Sequence, residues 1–214
     1  MNPWKLRSDV VAAGQALARR ALSAGTSGNV SLRHANGFFI SPSGVPYEIM
    51  SAGDVVQLDL RGQSVTGHLP PSSEWRLHMG IYRSRPDVDA IVHAHPRYAT
   101  AVACTGRDIP AFHYMVAIAG GDSIRCAPYA PFGTEELAES AARALEGRRA
   151  CLLGNHGAIA VGDDLPSALE LMVEVEELAA QYCVALSIGE VTILSKEEMA
   201  RLLERFKTYG LKGK

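Results

Sequence analysis

Ala90-Ile91-Val92-His93-Ala94-His95-Pro96 is the stretch on which the fold turns. A short apolar run rich in β-branched residues and closed by proline reads as a strand, here Ala90 to His95. Alternate residues of a strand face the same side. His93 and His95 therefore project together from the strand's end. Two such imidazoles can chelate one metal ion, and imidazole suits zinc and its neighbours. They can equally be two hydrogen-bonded histidines of a half-buried sheet, and the pair alone leaves both readings open.

Downstream, Ala150 to Leu153 and Ala158 to Val161 read as two more short strands around Gly154-Asn155-His156-Gly157. His156 then sits in a turn, as a third imidazole or as a residue capping backbone groups. Three histidines around one cation with a position left open describe a catalytic zinc site. Upstream, Ser72 to Tyr82 reads as a helix capped by Ser72 or Ser73, with Glu74 in its first turn. The helix dipole favours a carboxylate there. Alternatively, Glu74 is a displaceable metal ligand and general base. His78 shares its face, as a rival ligand or a structural histidine.

Farther out, Asp9 to Ala24 reads as a helix stopped by Gly25, and Val55 to Leu60 as a strand. Asn29 to Arg33 and Phe38 to Ser41 read as a hairpin around Ala35-Asn36-Gly37, the Asn-Gly pair being its signal. Pro166 to Ser187 is the longest helix, with Leu169, Met172, Val175, Leu178, Tyr182 and Leu186 at helical spacing as a core stripe. Ser195-Lys196-Glu197-Glu198 is a capping box opening a last helix to about Lys207. Strands joined by both hairpins and helices predict an α/β fold. The pattern fits a single layered domain over residues 1–214, with a largely antiparallel or mixed sheet.

The chain has 214 residues, 47% hydrophobic and 21% charged, with net charge −2. That balance gives no basic surface for nucleic acid or for an anionic membrane. No apolar run approaches the ~20 residues of a bilayer span. Residues 1–9 lack the apolar core of a secretory signal, so a cytoplasmic protein is expected. Cys104, Cys126, Cys151 and Cys183 are too widely spaced for a zinc knuckle and are each expected as a small buried hydrophobe.

Gly25-Thr26-Ser27-Gly28-Asn29, Ser41-Pro42-Ser43-Gly44 and Ser72-Ser73 are small, hydroxyl-rich segments whose backbone N–H groups could cradle a phosphate. Each alone could be no more than a turn; three beside a possible metal site suggest a phosphorylated substrate.

Together these residues resemble the class II aldolase/adducin family. The most specific stretches are Leu69-Pro70-Pro71-Ser72-Ser73-Glu74-Trp75-Arg76, Val92-His93-Ala94-His95, Ala119-Gly120-Gly121-Asp122-Ser123-Ile124, and Cys126-Ala127-Pro128-Tyr129-Ala130 followed by Phe132-Gly133-Thr134. The resemblance runs from the Gly25-to-Val30 turn to the Phe206-to-Leu211 tail, and it implies a single three-layer α/β/α domain with a central mostly antiparallel sheet and helices on both sides. It implies one Zn2+ per subunit, held by His93, His95, His156 and Glu74. It implies a phosphate held by Gly28, Asn29, Ser43, Gly44, Ser72 and Ser73, and an aldehyde pocket lined by Phe132. Tyr114 from a neighbouring subunit is expected as proton donor and acceptor, and Tyr209 on a tail closing over the site. The implied assembly is a homotetramer with its site at a subunit boundary. The implied reaction is reversible cleavage of a ketose 1-phosphate, L-fuculose 1-phosphate or similar, to dihydroxyacetone phosphate and a short aldehyde.

Departures are small. The family pattern has Thr at Ser43 and Ala at Ser27, and the fuculose-type members carry His at Asn155. A 5-deoxypentulose-phosphate aldolase is an alternative. So is a pentulose-phosphate 4-epimerase of the same family, although its site typically has Asp where Glu74 stands. A non-enzymatic adducin-like domain is disfavoured, because such domains lose these ligands.

Overall fold

A proline-led helix and a tight hairpin set the chain's course. In the computed structural model, which describes residues 2–206, α1 spans Pro3–Arg19. It begins well before the expected Asp9, because Asn2 accepts a hydrogen bond from the Trp4 N–H and Pro3 occupies a first-turn position. It ends at Arg19, with Arg20 as its C-terminal cap, short of Gly25.

β1 (Asn29–His34) and β2 (Gly37–Ile40) pair antiparallel, with His34 opposite Gly37. The turn is Ala35-Asn36, and Ala35 itself takes the positive φ of 48°. Gly37 is a strand residue, needed for close approach: a Cβ there would lie 2.1 Å from the Leu58 carbonyl oxygen. The hairpin signal thus marks the right place for a different reason.

Next come β3 (Val56–Asp59), β4 (Ser64–Thr66), α2 (Trp75–Ser84), β5 (Ala90–Ala94), α3 (Arg97–Ala103) and β6 (Ile109–Pro110). A 3-10 helix (Tyr114–Ala119), β7 (Ser123–Ala127), α4 (Glu135–Ala144), β8 (Ala150–Leu153), β9 (Gly157–Gly162), α5 (Leu165–Ile188) and α6 (Lys196–Phe206) follow. The strands form one sheet in the order β4-β3-β2-β1-β5-β9-β8-β7-β6. β7 and β8 run parallel, and the remaining neighbours antiparallel. This is an α/β fold with a single mixed, mostly antiparallel sheet flanked by helices.

Strand alternation sends side chains to two separate cores. Val30, Val92 and Ala160 pack with Val10 and Leu17 of α1, Val102 of α3, and Met172, Val175 and Leu178 of α5. Ile40, Ile91 and Ile159 pack on the opposite face with Leu77 and Ile81 of α2 and Leu137 of α4. Each such buried aliphatic side chain contributes about 1.5–3 kcal/mol. His93 shares the face of Ile91, and Asn29 and Ser31 lie opposite Val30's face, so all three point toward the α2 side.

α5 opens on a capping box formed by Asp164 and Ser167. Its stripe is buried from Leu169 to Tyr182, but Leu186 is 44% exposed, so the core contact stops one turn earlier than its spacing suggests. At α6 the Glu198 N–H donates to Ser195 Oγ, as its capping sequence predicts. Lys207 lies outside the described residues. Cys151 is buried, whereas Cys104 is exposed, so the buried-hydrophobe reading fails there. Among the described residues, no helix is long and apolar enough to cross a membrane.

Candidate metal centre

The site forms where β1, β5 and β9 meet the start of α2. β5 stops at Ala94, and His95 lies just beyond it, its N–H donating to Ser23 Oγ at 3.1 Å. His93 stands opposite Asn29 on one side and Ile159 on the other. His156 sits in the turn between β8 and β9, where Asn155 adopts a left-handed φ of 54°. Glu74 is not in the first turn of a helix starting at Ser72. The helix starts at Trp75, Glu74 occupies the position before it, and Glu74's N–H donates to Ser72 Oγ at 3.3 Å. Ser72 therefore anchors Glu74 and does not cap the helix.

One potential ligand atom from each of Glu74, His93, His95 and His156 lies within 4.8 Å of the others. Glu74 Oε2 is 3.0 Å from His93 Nε2, and Glu74 Oε1 is 3.3 Å from His156 Nε2. His93 Nε2 and His95 Nε2 are 3.0 Å apart. His93 Nδ1 is 3.0 Å from the Ala158 carbonyl oxygen, to which it can only donate. That bond leaves Nε2 of the neutral ring as the lone-pair atom facing the centre, the usual arrangement of a metal-bound histidine.

The electrostatics fit a cation. Burial raises the cost of ionising Glu74, but the charges of His93 and His156 and the bond from Asn29 outweigh it and hold the carboxyl well below its usual range. Burial, then the neighbouring histidines, push His95 and His156 each down to about 4. For His93 burial acts the same way, but Glu74 and Ala158 prevail and raise it. Glu74 Oε1 is buried and has no hydrogen-bond partner among the described residues. An orphaned anionic oxygen beside three converging imidazole nitrogens is what a divalent ion would satisfy. His78 is not part of this set. It is fully buried, bonded to Ser31 and Asn29.

Glu74, His95 and His156 border a cavity of about 490 Å3. Its walls include Ser27, Gly28 and Asn29, then Ser43 and Gly44, then Ser72 and Ser73, so the three hydroxyl-rich segments do come together. Some of their amides are already committed. Ser27 N–H donates to Ala24, Ser43 N–H to Pro70 and Ser72 N–H to Ser41. The amides of Gly28, Gly44 and Ser73 have no such partner among the described residues. Gly28 takes φ +78°, and a Cβ there would lie 2.8 Å from the His93 carbonyl oxygen, so only glycine brings this turn against β5.

Phe132, 70% exposed, lines the same cavity. Tyr114 does not: it lies on the 3-10 helix, half exposed, against the His113 ring. Tyr209 lies outside the described residues. Tyr129 and Asn155 also line the cavity and carry no role in the sequence reading. The signal for Tyr129 was a large aromatic in a proline-flanked loop, Pro128-Tyr129-Ala130-Pro131, where no core can absorb it.

Residues 8–183 match the family model of the Class II Aldolase and Adducin N-terminal domain. The chain is 50% identical over 213 residues to the L-fuculose phosphate aldolase of Escherichia coli K12, covering 99% of each. It is also 50% identical over 205 residues to the 5-methylthioribulose-1-phosphate/5-deoxyribulose-1-phosphate aldolase of Rhodospirillum rubrum, covering 96% of this chain and 92% of that one. A solved L-fuculose 1-phosphate aldolase superposes with a TM-score of 0.92 at 42% identity, over 95% of this chain and 96% of the other.

Proposed function

This chain belongs to the class II aldolase and adducin family and is an aldehyde-lyase, and on that footing we propose that it cleaves a short ketose 1-phosphate to dihydroxyacetone phosphate and an aldehyde, with zinc as its metal. The observation that carries this is the convergence of Glu74, His93, His95 and His156 around the orphaned Glu74 oxygen. L-fuculose 1-phosphate is the substrate we favour. A 5-deoxypentulose 1-phosphate is the second reading, supported by the equal identity to the Rhodospirillum rubrum relative.

His93, His95 and His156 would hold the ion, with Glu74 as the fourth ligand. A divalent metal there supplies Lewis acidity for the charge that develops on the substrate's carbonyl oxygen. The free amides of Gly28, Gly44 and Ser73, the Ser43 hydroxyl and the Asn29 amide would bind the phosphate, with Ser72 tying this wall to Glu74. Glu74 Oε2 is engaged by Asn29 and His93, so Oε1, 3.3 Å from His156 Nε2, would become the oxygen available for a proton once the substrate displaces Glu74 from the ion. In the condensation direction it would accept the proton leaving C3 of dihydroxyacetone phosphate, and in cleavage return it. The C4 hydroxyl proton would pass to Tyr114 of a neighbouring copy in a homotetramer. The half exposure of Tyr114 in the lone chain supports that role. Phe132 would face the aldehyde portion.

The test is a panel of ketose 1-phosphates, with enzymatic detection of dihydroxyacetone phosphate, run with and without a chelator. Chelator-sensitive release from fuculose 1-phosphate or a 5-deoxypentulose 1-phosphate is expected. No release from any member would overturn the proposal.

A further inference from the structure

We infer that His78 is a positioning residue that fixes the Asn29 amide and, through it, the Glu74 carboxylate. The inference rests on the reading of Glu74 as a metal ligand.

A continuous hydrogen-bonded chain runs behind the metal centre. Tyr82 Oη is 2.7 Å from Ser31 Oγ, and Ser31 Oγ is 2.6 Å from His78 Nδ1. His78 Nε2 meets Asn29 Oδ1, and Asn29 Nδ2 donates to Glu74 Oε2 at 3.1 Å. All its members are buried, with His78 and Ser31 fully so. Ser31 and His78 have no solvent access, so a partner missing at either leaves a buried donor or acceptor unpaired.

The direction of this chain is determined at its end. An ionised carboxylate only accepts, so Asn29 must present its NH2 to Glu74 and its oxygen to His78. His78 must then donate from Nε2 and accept at Nδ1, which requires the Ser31 hydroxyl to donate to it. Only one tautomer of a neutral His78 satisfies all of these bonds. The consequence reaches the cavity. Asn29 Nδ2 has two hydrogens: one is used on Glu74, and the other remains for a ligand in the cavity that Asn29 lines. Without a donor at the ε position of residue 78, the buried Asn29 oxygen is left unpaired. The amide then has reason to rotate away, and Glu74 Oε2 loses the bond that sets its angle to His93. The α2 segment thereby bears on the metal centre at two points, directly through Glu74 just ahead of the helix and by way of β1 through His78 within it.

The test compares wild-type protein with His78→Phe and His78→Gln. Glutamine restores an N–H at the ε position; phenylalanine fills the space without one. Zinc affinity is measured by competition with a chromophoric chelator, alongside thermal unfolding. Affinity should fall about tenfold in His78→Phe, the lower end of what outer-shell partners of a metal ligand control. It should return to within about threefold of wild type in His78→Gln. Equal affinity in all three proteins, or equal loss in both variants matched by equal loss of thermal stability, would overturn the assignment. Should the phenylalanine variant fail to fold, Ser31→Ala, which frees the His78 tautomer, should lower zinc affinity measurably, and an unchanged value would overturn it. Zinc binding in this order by a wild-type protein that cleaves no ketose phosphate would sink the aldolase substrate and leave His78 its role. Cleavage by the wild type without this order would do the reverse.

Discussion

Nε2 of His93 and Nε2 of His95 lie 3.0 Å apart, although His93 is fully buried and His95 stands past the end of its strand. Two imidazole nitrogens held that close either share a proton or share a cation. With the His93 Nδ1 hydrogen committed to Ala158, the shared cation is the arrangement that also satisfies Glu74. Substituting His95 by Ala should therefore cost metal affinity beyond the roughly 10–100-fold typical of outer-shell changes. Metal content after dialysis against a chelator buffer checks it.

Glu74→Gln keeps the bulk of the side chain and one possible ligand oxygen, but removes the basic carboxylate. Exchange of the C3 proton of dihydroxyacetone phosphate with solvent should fall by at least the 10²–10⁴-fold associated with general base catalysis. The histidines should still retain metal. Proton NMR in heavy water reads the exchange, and exchange near the wild-type rate would remove Glu74 from the base role.

Acidification should weaken the metal-free protein. His78, His95 and His156 are depressed, mainly by burial, to about 3, 4 and 4. Between these values and their ordinary 6.5 the unfolded chain binds more protons than the folded one. Stability is thus complete above about pH 6.5 and falls as the pH drops toward 4 and 3. Glu74, held low, adds loss in the same direction at the acid end. His93, raised by Glu74, acts oppositely: its contribution is present below 6.5 and fades as the pH climbs through its raised value. Thermal melts of chelated protein across pH 3.5 to 7.5 should show a rising midpoint; a flat profile would contradict the burial of these rings.

Much of the centre was legible because strand periodicity is local. His93 and His95 at alternate positions, and His156 in a turn between short strands, needed no tertiary knowledge beyond their period. The sheet's order, and the parallel β7–β8 pair, depend on crossovers that no local pattern encodes. The position of Glu74 before α2 was misplaced because Ser72 and Ser73 are good capping residues in isolation. In the fold the Pro42–Pro71 bridge and the Ser72–Ser41 bond draw that segment into the sheet's end instead. The Asn29–His78 contact joins residues 49 positions apart and had no sequence signal at all.

Gly37→Val should destabilise the fold without touching the site. Its Cβ would collide with the backbone of Leu58, which cannot swing aside as a side chain could. A loss of roughly 2–4 kcal/mol, at the upper end for single substitutions, is expected in urea unfolding.

Phe132→Ala should leave stability within about 0.5 kcal/mol of wild type, because the ring is largely exposed in the single chain. Its effect should fall on the choice of aldehyde. Relative kcat/KM for condensation of dihydroxyacetone phosphate with long and short aldehydes should shift by several-fold, and identical ratios would remove Phe132 from the aldehyde wall.

The most direct measurement is titration of chelated, inactive protein with zinc while dihydroxyacetone phosphate release from fuculose 1-phosphate or a 5-deoxypentulose 1-phosphate is followed. Activity should rise linearly and level off at one equivalent of metal per chain, the number that a single Glu74–His93–His95–His156 centre holds. Full cleavage activity in the chelated protein, or saturation with zinc without any cleavage, would contradict a metal-dependent aldolase.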